Sequence, residues 1–315
     1  MNQNSKWNMS ISRLKITYTL YSLGLGFVFY LLYKSWPEVN SQIIDFKISY
    51  LVISTIALLC NTLIGCWLLK KLLNSYKVII SYSETCKIFY LSQLSKYLPG
   101  VVWGLAMQAS MLNSDKAMKQ IVFSNIRFLL FITAFFLFTS SAYLALRYSL
   151  IIACLLFISS FVTVFCLNKD SILNIILTPF HKLHSCFYLE RINECKIRTD
   201  KLFLSCIGIY ITYLLTISTI VLAFYDVTLY EAIEISIYQC IAWVAGMLVF
   251  LVPAGMGVRE VVFLALGNLS NNFSTEQIQS IAILTRFVQL IQDVILSFTA
   301  IILVKARRLT RGNTG

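Results

Sequence analysis

The sequence predicts an all-α fold, a polytopic helical membrane protein whose residues 1–315 form a single integral membrane domain. Its 315 residues are 58% hydrophobic and only 13% charged. The apolar residues form continuous runs of about 20, which is the length of a membrane-spanning helix, and they do not alternate as in strands. Because only helices and closed barrels satisfy their backbone groups in hydrocarbon, these runs favour a bundle of membrane helices.

Two kinds of apolar segment are present. Six predict uninterrupted crossings: residues 16–33, 48–73, 121–146, 149–167, 202–224 and 277–304. The last follows a capping box typical of a helix start, with Ser274 three residues before Gln277. Two more, residues 87–112 and 231–269, are interrupted by proline and glycine, which remove a helical hydrogen bond and add backbone freedom. Each is therefore a predicted re-entrant hairpin or pair of crossings, broken at Pro99, Gly100, Pro253, Gly255 and Gly257.

The basic residues predict the orientation. Of the 26 Lys and Arg, 20 lie before the first span, after the last span, or in the segments around residues 70–119 and 169–201, and only three lie in the alternating loops. By the positive-inside rule, both termini and the loop of residues 168–201 are cytoplasmic. The net charge of +12 then reflects topology and anionic lipid, not nucleic acid. We expect a multi-pass protein of the cell inner (plasma) membrane.

The order of the segments predicts two inverted-topology repeats. Residues 1–147 and residues 148–315 each contain two spans, a broken hairpin and a third span. Three full crossings per half is an odd number, so the second copy must enter the membrane upside down. In such proteins the interrupted segments mark a substrate site near the midplane, because irregular backbone survives there only inside protein or beside a watery cavity.

The two breaks also carry a resemblance to a known family. Lys-Tyr-Leu-Pro-Gly-Val-Val-Trp (residues 96–103) and Pro-Ala-Gly-Met-Gly-Val-Arg-Glu (residues 253–260) resemble the signature stretches of the flippase-like membrane domain of lysylphosphatidylglycerol synthases and their stand-alone relatives. The resemblance covers nearly the whole chain and implies movement of a lipid-linked head group between leaflets. The family's first motif commonly continues to a Gly-Arg pair, where this chain has Met107 and Gln108. With no aminoacyl-transferase domain in the sequence, we do not expect synthesis of a lysyl lipid.

Arg259 and Glu260 directly follow the second break, where a new helix is predicted to begin. A helix N-terminus favours anions such as phosphate. We expect Arg259 to contact a lipid phosphate and Glu260 to hold the Arg or a sugar or amine of the substrate. The alternative is a structural ion pair that seals the hairpin.

The last span carries a polar face. Gln279, Arg286, Gln289, Asp293 and Ser297 follow helical spacing along one side. Arg286 and Asp293 are two turns apart, about 10 Å along the axis, so we expect them to reach other helices and to help bind substrate, as should Gln289. The alternative is that this face only joins helices.

The first half supplies weaker candidates. Arg127 is the counterpart of Arg286, or else a cation that extends to the cytoplasmic head groups. Trp103 and Gln108 follow the first break, and Trp103 fits an aromatic wall of the substrate site or an interfacial anchor. The candidate substrate-binding residues are thus Arg259, Glu260, Arg286, Asp293, Gln289, Arg127, Trp103 and Gln108.

No catalytic residue, metal site or cofactor is expected. His181, His184, Cys186 and Cys195 fit no standard zinc spacing, and no Walker motif is present. The predicted function is a flippase that moves a phospholipid or a lipid-linked saccharide by alternating access, with no enzymatic step. The alternative is an integral membrane glycosyl- or acyl-transferase, or its accessory subunit, in envelope polysaccharide synthesis, and a third is a small-solute transporter or channel. A second copy of the chain or envelope glycan-synthesis enzymes are the expected protein partners.

Overall fold

The computed structural model describes residues 33, 46–94, 102–112, 117–147, 150–167, 199–248, 255, 257–270 and 272–312. The regular elements in these ranges are helices: α1 Ile48–Ser75, α2 Tyr82–Gln93, α3 Val102–Met111, α4 Ala117–Arg147, α5 Leu150–Leu167, α6 Thr199–Phe224, α7 Leu229–Leu248, α8 Val258–Gly267 and α9 Thr275–Gly312. Apart from Tyr33, the predicted first span lies outside the described residues, as do Pro99, Gly100, Pro253 and the loop with His181, His184, Cys186 and Cys195.

Several of these helices are long and apolar enough to cross a membrane. The five are Ile48–Ser75, Gln120–Arg147, Leu202–Phe224, Leu229–Leu248 and Thr275–Ile302. The all-α prediction and the multi-pass membrane prediction are therefore confirmed. Four of the five coincide with predicted crossings, and α5 forms the helix predicted over residues 149–167. The fifth, α7, was predicted as the first arm of the second hairpin and is long enough to cross by itself.

An antiparallel pair, α1 and α6, connects the two halves. Gly208 of α6 allows the two helices to approach closely, since a Cβ at this position would lie 3.1 Å from the Ile64 side chain of α1. The Asn61 amide donates to the Ile209 carbonyl at 2.8 Å. At one end of the pair, Lys47 Nζ meets Asp226 Oδ1 at 2.9 Å, and this carboxylate raises the pKa of Lys47. We call this end of the bundle the Lys47–Asp226 end.

Both hairpins begin with the same local device, a capping box. In α2, Ser81 N–H donates to Glu84 Oε2 at 3.0 Å and Glu84 N–H to Ser81 Oγ at 3.2 Å. In α7, Thr228 and Glu231 exchange the same two bonds at 2.8 and 3.3 Å. The box satisfies amides that a helix start leaves without partners. Because α7 starts at the Lys47–Asp226 end and α2 follows the far end of α1, the hairpins begin at opposite ends of the bundle.

The capping box predicted at the start of the last helix is confirmed. Ser274 N–H donates to Gln277 Oε1 at 2.9 Å, and Gln277 N–H donates to Ser274 Oγ at 3.2 Å. Helix α9 accordingly begins at Thr275.

Each hairpin packs against the long helix that closes the other half. Helix α2 contacts α9, where Ser297 Oγ donates to the Tyr90 carbonyl at 2.7 Å. Helix α7 contacts α4, where the rings of Phe136 and Trp243 lie 5.5 Å apart. This reciprocal pairing is the one that inverted repeats would produce, and the repeat itself stays a prediction.

The second break depends on glycine. Helix α7 ends at Leu248 and α8 begins at Val258, and between them Gly255 and Gly257 have φ of +66° and +80°. Side chains other than hydrogen are disfavoured in this left-handed region. Gly255 also touches α7, since a Cβ there would lie 2.5 Å from the Gly246 carbonyl oxygen. The chain can therefore return onto α7 only with glycine at this position.

Alanine at the two positive-φ glycines should have unequal effects. Gly257→Ala has open space around the new Cβ and should lose only about 1–2 kcal/mol for the left-handed backbone. Gly255→Ala bears the same strain and adds overpacking of about 1–3 kcal/mol. Unfolding of the purified variants in detergent measures the difference. Equal losses would show that the Gly246–Gly255 contact contributes no stability.

Candidate functional site

The second break is joined to α9 by a half-buried arginine. Arg286 Nε lies 2.5 Å from Glu260 Oε1, and Arg286 Nη2 donates to the Gly255 carbonyl at 3.4 Å. Only 18% of the Arg286 side chain and 30% of the Glu260 side chain are exposed. A charge inside a membrane domain is costly unless it is paired. The ion pair and the carbonyl released by the break together make the Arg286 charge tolerable.

Arg259 lies on α8 beside this pair but faces α7. Its guanidinium carbon is 5.6 Å from the centre of the Trp243 ring, a cation–π contact. The stem of Arg259 lies on Gly246, where any Cβ would collide with it. The sequence left open an Arg259–Glu260 ion pair, whereas the structure pairs Glu260 with Arg286 from another helix. Arg259 and Glu260 are neighbours at the start of α8, but their side chains contact different helices. Arg259 contacts α7 and Glu260 contacts α9.

Tyr213 on α6 completes this cluster, and the sequence analysis did not identify it. Its hydroxyl lies within range of electrostatic interaction with the side chains of Gln289, Arg259 and Arg286. Tyr213 is 6% exposed. A lone tyrosine in an apolar helix resembles core packing, so only the tertiary contact reveals it. We name Arg259, Glu260, Arg286, Gln289 and Tyr213 the arginine cluster.

The arginine cluster has a net positive charge, since it contains two guanidinium groups and one carboxylate. Glu260 Oε2 is buried and has no hydrogen-bond partner among the described residues. The amide end of α8, which begins at Val258, adds a partial positive charge. Arginine is suited to phosphate because its planar fork donates two parallel bonds. The arrangement can therefore bind an anion on irregular backbone within the membrane domain.

Polar side chains also follow the first break, but they are neutral. Asn125 Nδ2 of α4 donates to Gln108 Oε1 of α3 at 2.8 Å, and Gln108 Nε2 donates to Ser92 Oγ of α2 at 3.1 Å. Gln108 is 5% exposed. This amide pair joins a short helix after a break to the next long helix, as Glu260 and Arg286 do in the second half. The sequence analysis named Gln108 and missed Asn125 and Ser92, which look like ordinary membrane-helix residues.

Arg127 lies apart from both of these groups. It is 3% exposed, and its guanidinium carbon is 5.2 Å from the centre of the Tyr76 ring. Tyr76 in turn packs on Phe123, with ring centroids 6.0 Å apart. The alternative that Arg127 extends to the head groups is therefore wrong, because protein covers the side chain. One of its contacts is with Tyr76, directly after the last residue of α1.

The polar face of α9 contacts both hairpins. Arg286 contacts the second hairpin, Gln289 lies near Tyr213 of α6, and Ser297 Oγ donates a hydrogen bond to the backbone of α2. Asp293 lies between these regions and is 6% exposed. The expectation that Arg286 reaches another helix is confirmed, that for Asp293 stays a prediction, and Ser297 on the same face also contacts another helix. The side chain of Trp103, in the first turn of α3, lies outside the described residues.

Comparison with known proteins agrees with these features. A search of curated proteins found no match. The family model described as the lysylphosphatidylglycerol synthase TM region matches residues 14–297, a range that contains both breaks and every candidate site residue. The chain therefore belongs to the family of lysylphosphatidylglycerol synthase transmembrane regions.

Proposed function

We propose that this protein is a lipid flippase, which passes the head group of a phospholipid or lipid-linked saccharide through the protein while the acyl chains stay in the bilayer. The observation that carries the proposal is the arginine cluster, a net positive group beside the carbonyl of a broken helix. Membership of a family of lipid-related membrane proteins supports it. A phosphate is the part of the head group that this cluster fits.

The two arginines have different tasks in this proposal. Arg286 is engaged by Glu260 and the Gly255 carbonyl, so it holds the break closed around the site. Arg259 presents one face of its guanidinium to Trp243. This contact uses the face of the group and not its edge, whose N–H groups have the geometry that suits a phosphate. Arg259 is accordingly the proposed first contact to the phosphate.

Alternating access is the proposed mechanism. The reciprocal contacts of α7 with α4 and of α2 with α9 are the interfaces that would change as one half rocks against the other. The Glu260–Arg286 pair lies within the second half and would move with its hairpin. The distribution of Lys and Arg supports an inner-membrane location with both termini cytoplasmic. A second copy of the chain or envelope glycan-synthesis enzymes remain the proposed partners.

Removing Arg259 should slow lipid exchange. Purified protein in liposomes should accelerate exchange of a fluorescent anionic phospholipid or polyprenyl-phosphate-sugar, measured by dithionite or lectin accessibility. Arg259→Ala should reduce the rate about tenfold or more, since a hydrogen bond to a charged group contributes about 1.5–3 kcal/mol. Lys47→Ala is the matched control because it removes a cation from the exposed Lys47–Asp226 pair and should leave exchange unchanged.

Two results would contradict this proposal. Exchange by Arg259→Ala at the wild-type rate would remove Arg259 from the site. Absence of exchange with every lipid class, from protein that elutes as a folded species, would contradict the flippase itself.

The Glu260–Arg286 pair can be tested for a purely structural role. Glu260→Gln or Arg286→Gln alone leaves a half-buried charge without its partner and should cost about 1–3 kcal/mol of unfolding free energy. The double variant Glu260→Gln/Arg286→Gln removes both charges, so it should recover part of that loss while lipid exchange stays low. A stable double variant with wild-type exchange would assign the pair to structure alone.

A further inference from the structure

Trp243 of α7 lies between the arginine cluster and the first half of the protein. On one side, the guanidinium carbon of Arg259 is 5.6 Å from the centre of the indole ring. On the other side lies Phe136 of α4, with ring centroids 5.5 Å apart and the rings tilted by 54°. Tryptophan is the strongest aromatic partner for a cation, and aromatic pairs attract each other beyond the area that they bury. One side chain therefore contacts both Arg259 and the other half.

The ring contact with Phe136 lies in the middle of the interface between α7 and α4. Nearer the start of α7, the rings of Tyr238 and Tyr143 meet edge-on, with centroids 6.5 Å apart. Nearer its end, the Thr133 hydroxyl donates to the Met247 sulfur at 3.7 Å. Rocking of one half against the other would have to change this interface. A displacement of the indole ring would therefore act at its centre.

The stem of Arg259 is fixed on the same helix. A Cβ at Gly246 would collide with the Arg259 side chain, so the stem lies directly on the α7 backbone, less than one turn beyond Trp243. A long side chain loses conformational freedom when a ligand orders it. Because the glycine and the indole ring already hold Arg259 in one place, less of that freedom remains to be lost when a phosphate binds.

We propose that Trp243 positions Arg259 for a phosphate and transmits occupation of that site to the interface between α7 and α4. A phosphate accepts two parallel hydrogen bonds from the edge of a guanidinium and attracts it more strongly than an aromatic ring does. The guanidinium shifts from the ring toward the anion, and the indole ring repacks against Phe136. The link to transport rests on the proposed flippase function, whereas the change around the indole ring is measurable without transport.

Tryptophan fluorescence tests the positioning without any transport assay. Purified protein in detergent is titrated with a short-chain phosphatidate, and a diacylglycerol with the same chains serves as the lipid without a phosphate. Only the phosphatidate should change the emission of the wild type, because the cation leaves the indole ring. The change should be lost in Trp243→Phe and in Arg259→Gln.

Trp67→Phe is the matched control for this titration. Trp67 of α1 is also a half-buried indole with a cation over its ring, since Lys71 Nζ lies 5.1 Å from the ring centre. It is not part of the arginine cluster, so Trp67→Phe should keep the emission change.

The outcomes separate this proposal from the flippase function. An emission change that persists undiminished in Trp243→Phe would overturn the proposal, as would a wild type that exchanges lipid without a change in emission. The expected emission change in a protein that exchanges no lipid would contradict the flippase function while leaving the positioning of Arg259 in place. Absence of both would overturn both.

Lipid exchange in liposomes tests the transmission. Trp243→Leu should raise the fraction of anionic lipid that gives half-maximal exchange about threefold or more, since it removes a cation–π contact, and should lower the maximal rate. Trp243→Phe keeps an aromatic face and should restore part of both. If Trp243→Leu does not fold, Trp243→Phe supplies the test, with changes of the same sign and smaller size.

Thr133→Val separates this role from packing. The variant removes the hydrogen bond to Met247 and so loosens the same interface without altering a contact of Arg259. It should leave the half-maximal lipid fraction unchanged. If the Trp243 variants shift that fraction no more than Thr133→Val does, Trp243 contributes packing alone and the proposal is overturned.

Discussion

The structure of the second half depends on neutralising the charge of Arg286 inside a membrane domain. A continuous helix would offer this side chain no free carbonyl, whereas the break between α7 and α8 supplies the carbonyl of Gly255 and places Glu260 opposite. The break in turn needs glycine where the chain returns onto α7. The positive φ angles, the short helix and the ion pair together compensate the charge of Arg286.

The two halves have a similar order of helices, but the polar contact that follows the break differs in its chemistry. Each has a helix that begins at a capping box, a break, a short helix, and a polar pair to the next long helix. The pair is ionic in the second half and an amide pair between Gln108 and Asn125 in the first. An amide pair stabilises the packing without a charge to compensate. The net positive charge of the arginine cluster thus lies in the second half, on α8 and α9.

Helix α7 links the arginine cluster to the first half. Its last turns carry Trp243 and Gly246 against Arg259, and the Trp243 ring also packs on Phe136 of α4. A displacement of Arg259 would therefore act on the interface between α7 and α4.

The sequence by itself determined the helical membrane class, most helix positions and the capping box at Ser274, because apolar run length and capping chemistry are local properties. It also marked Arg259, Glu260 and Arg286, since charges are rare in apolar runs. Only the tertiary structure decided that Glu260 pairs with Arg286, that Arg127 packs on Tyr76, and that Tyr213 joins the cluster. These contacts join different helices, and their partners depend on how the helices pack, which spacing along one helix does not specify.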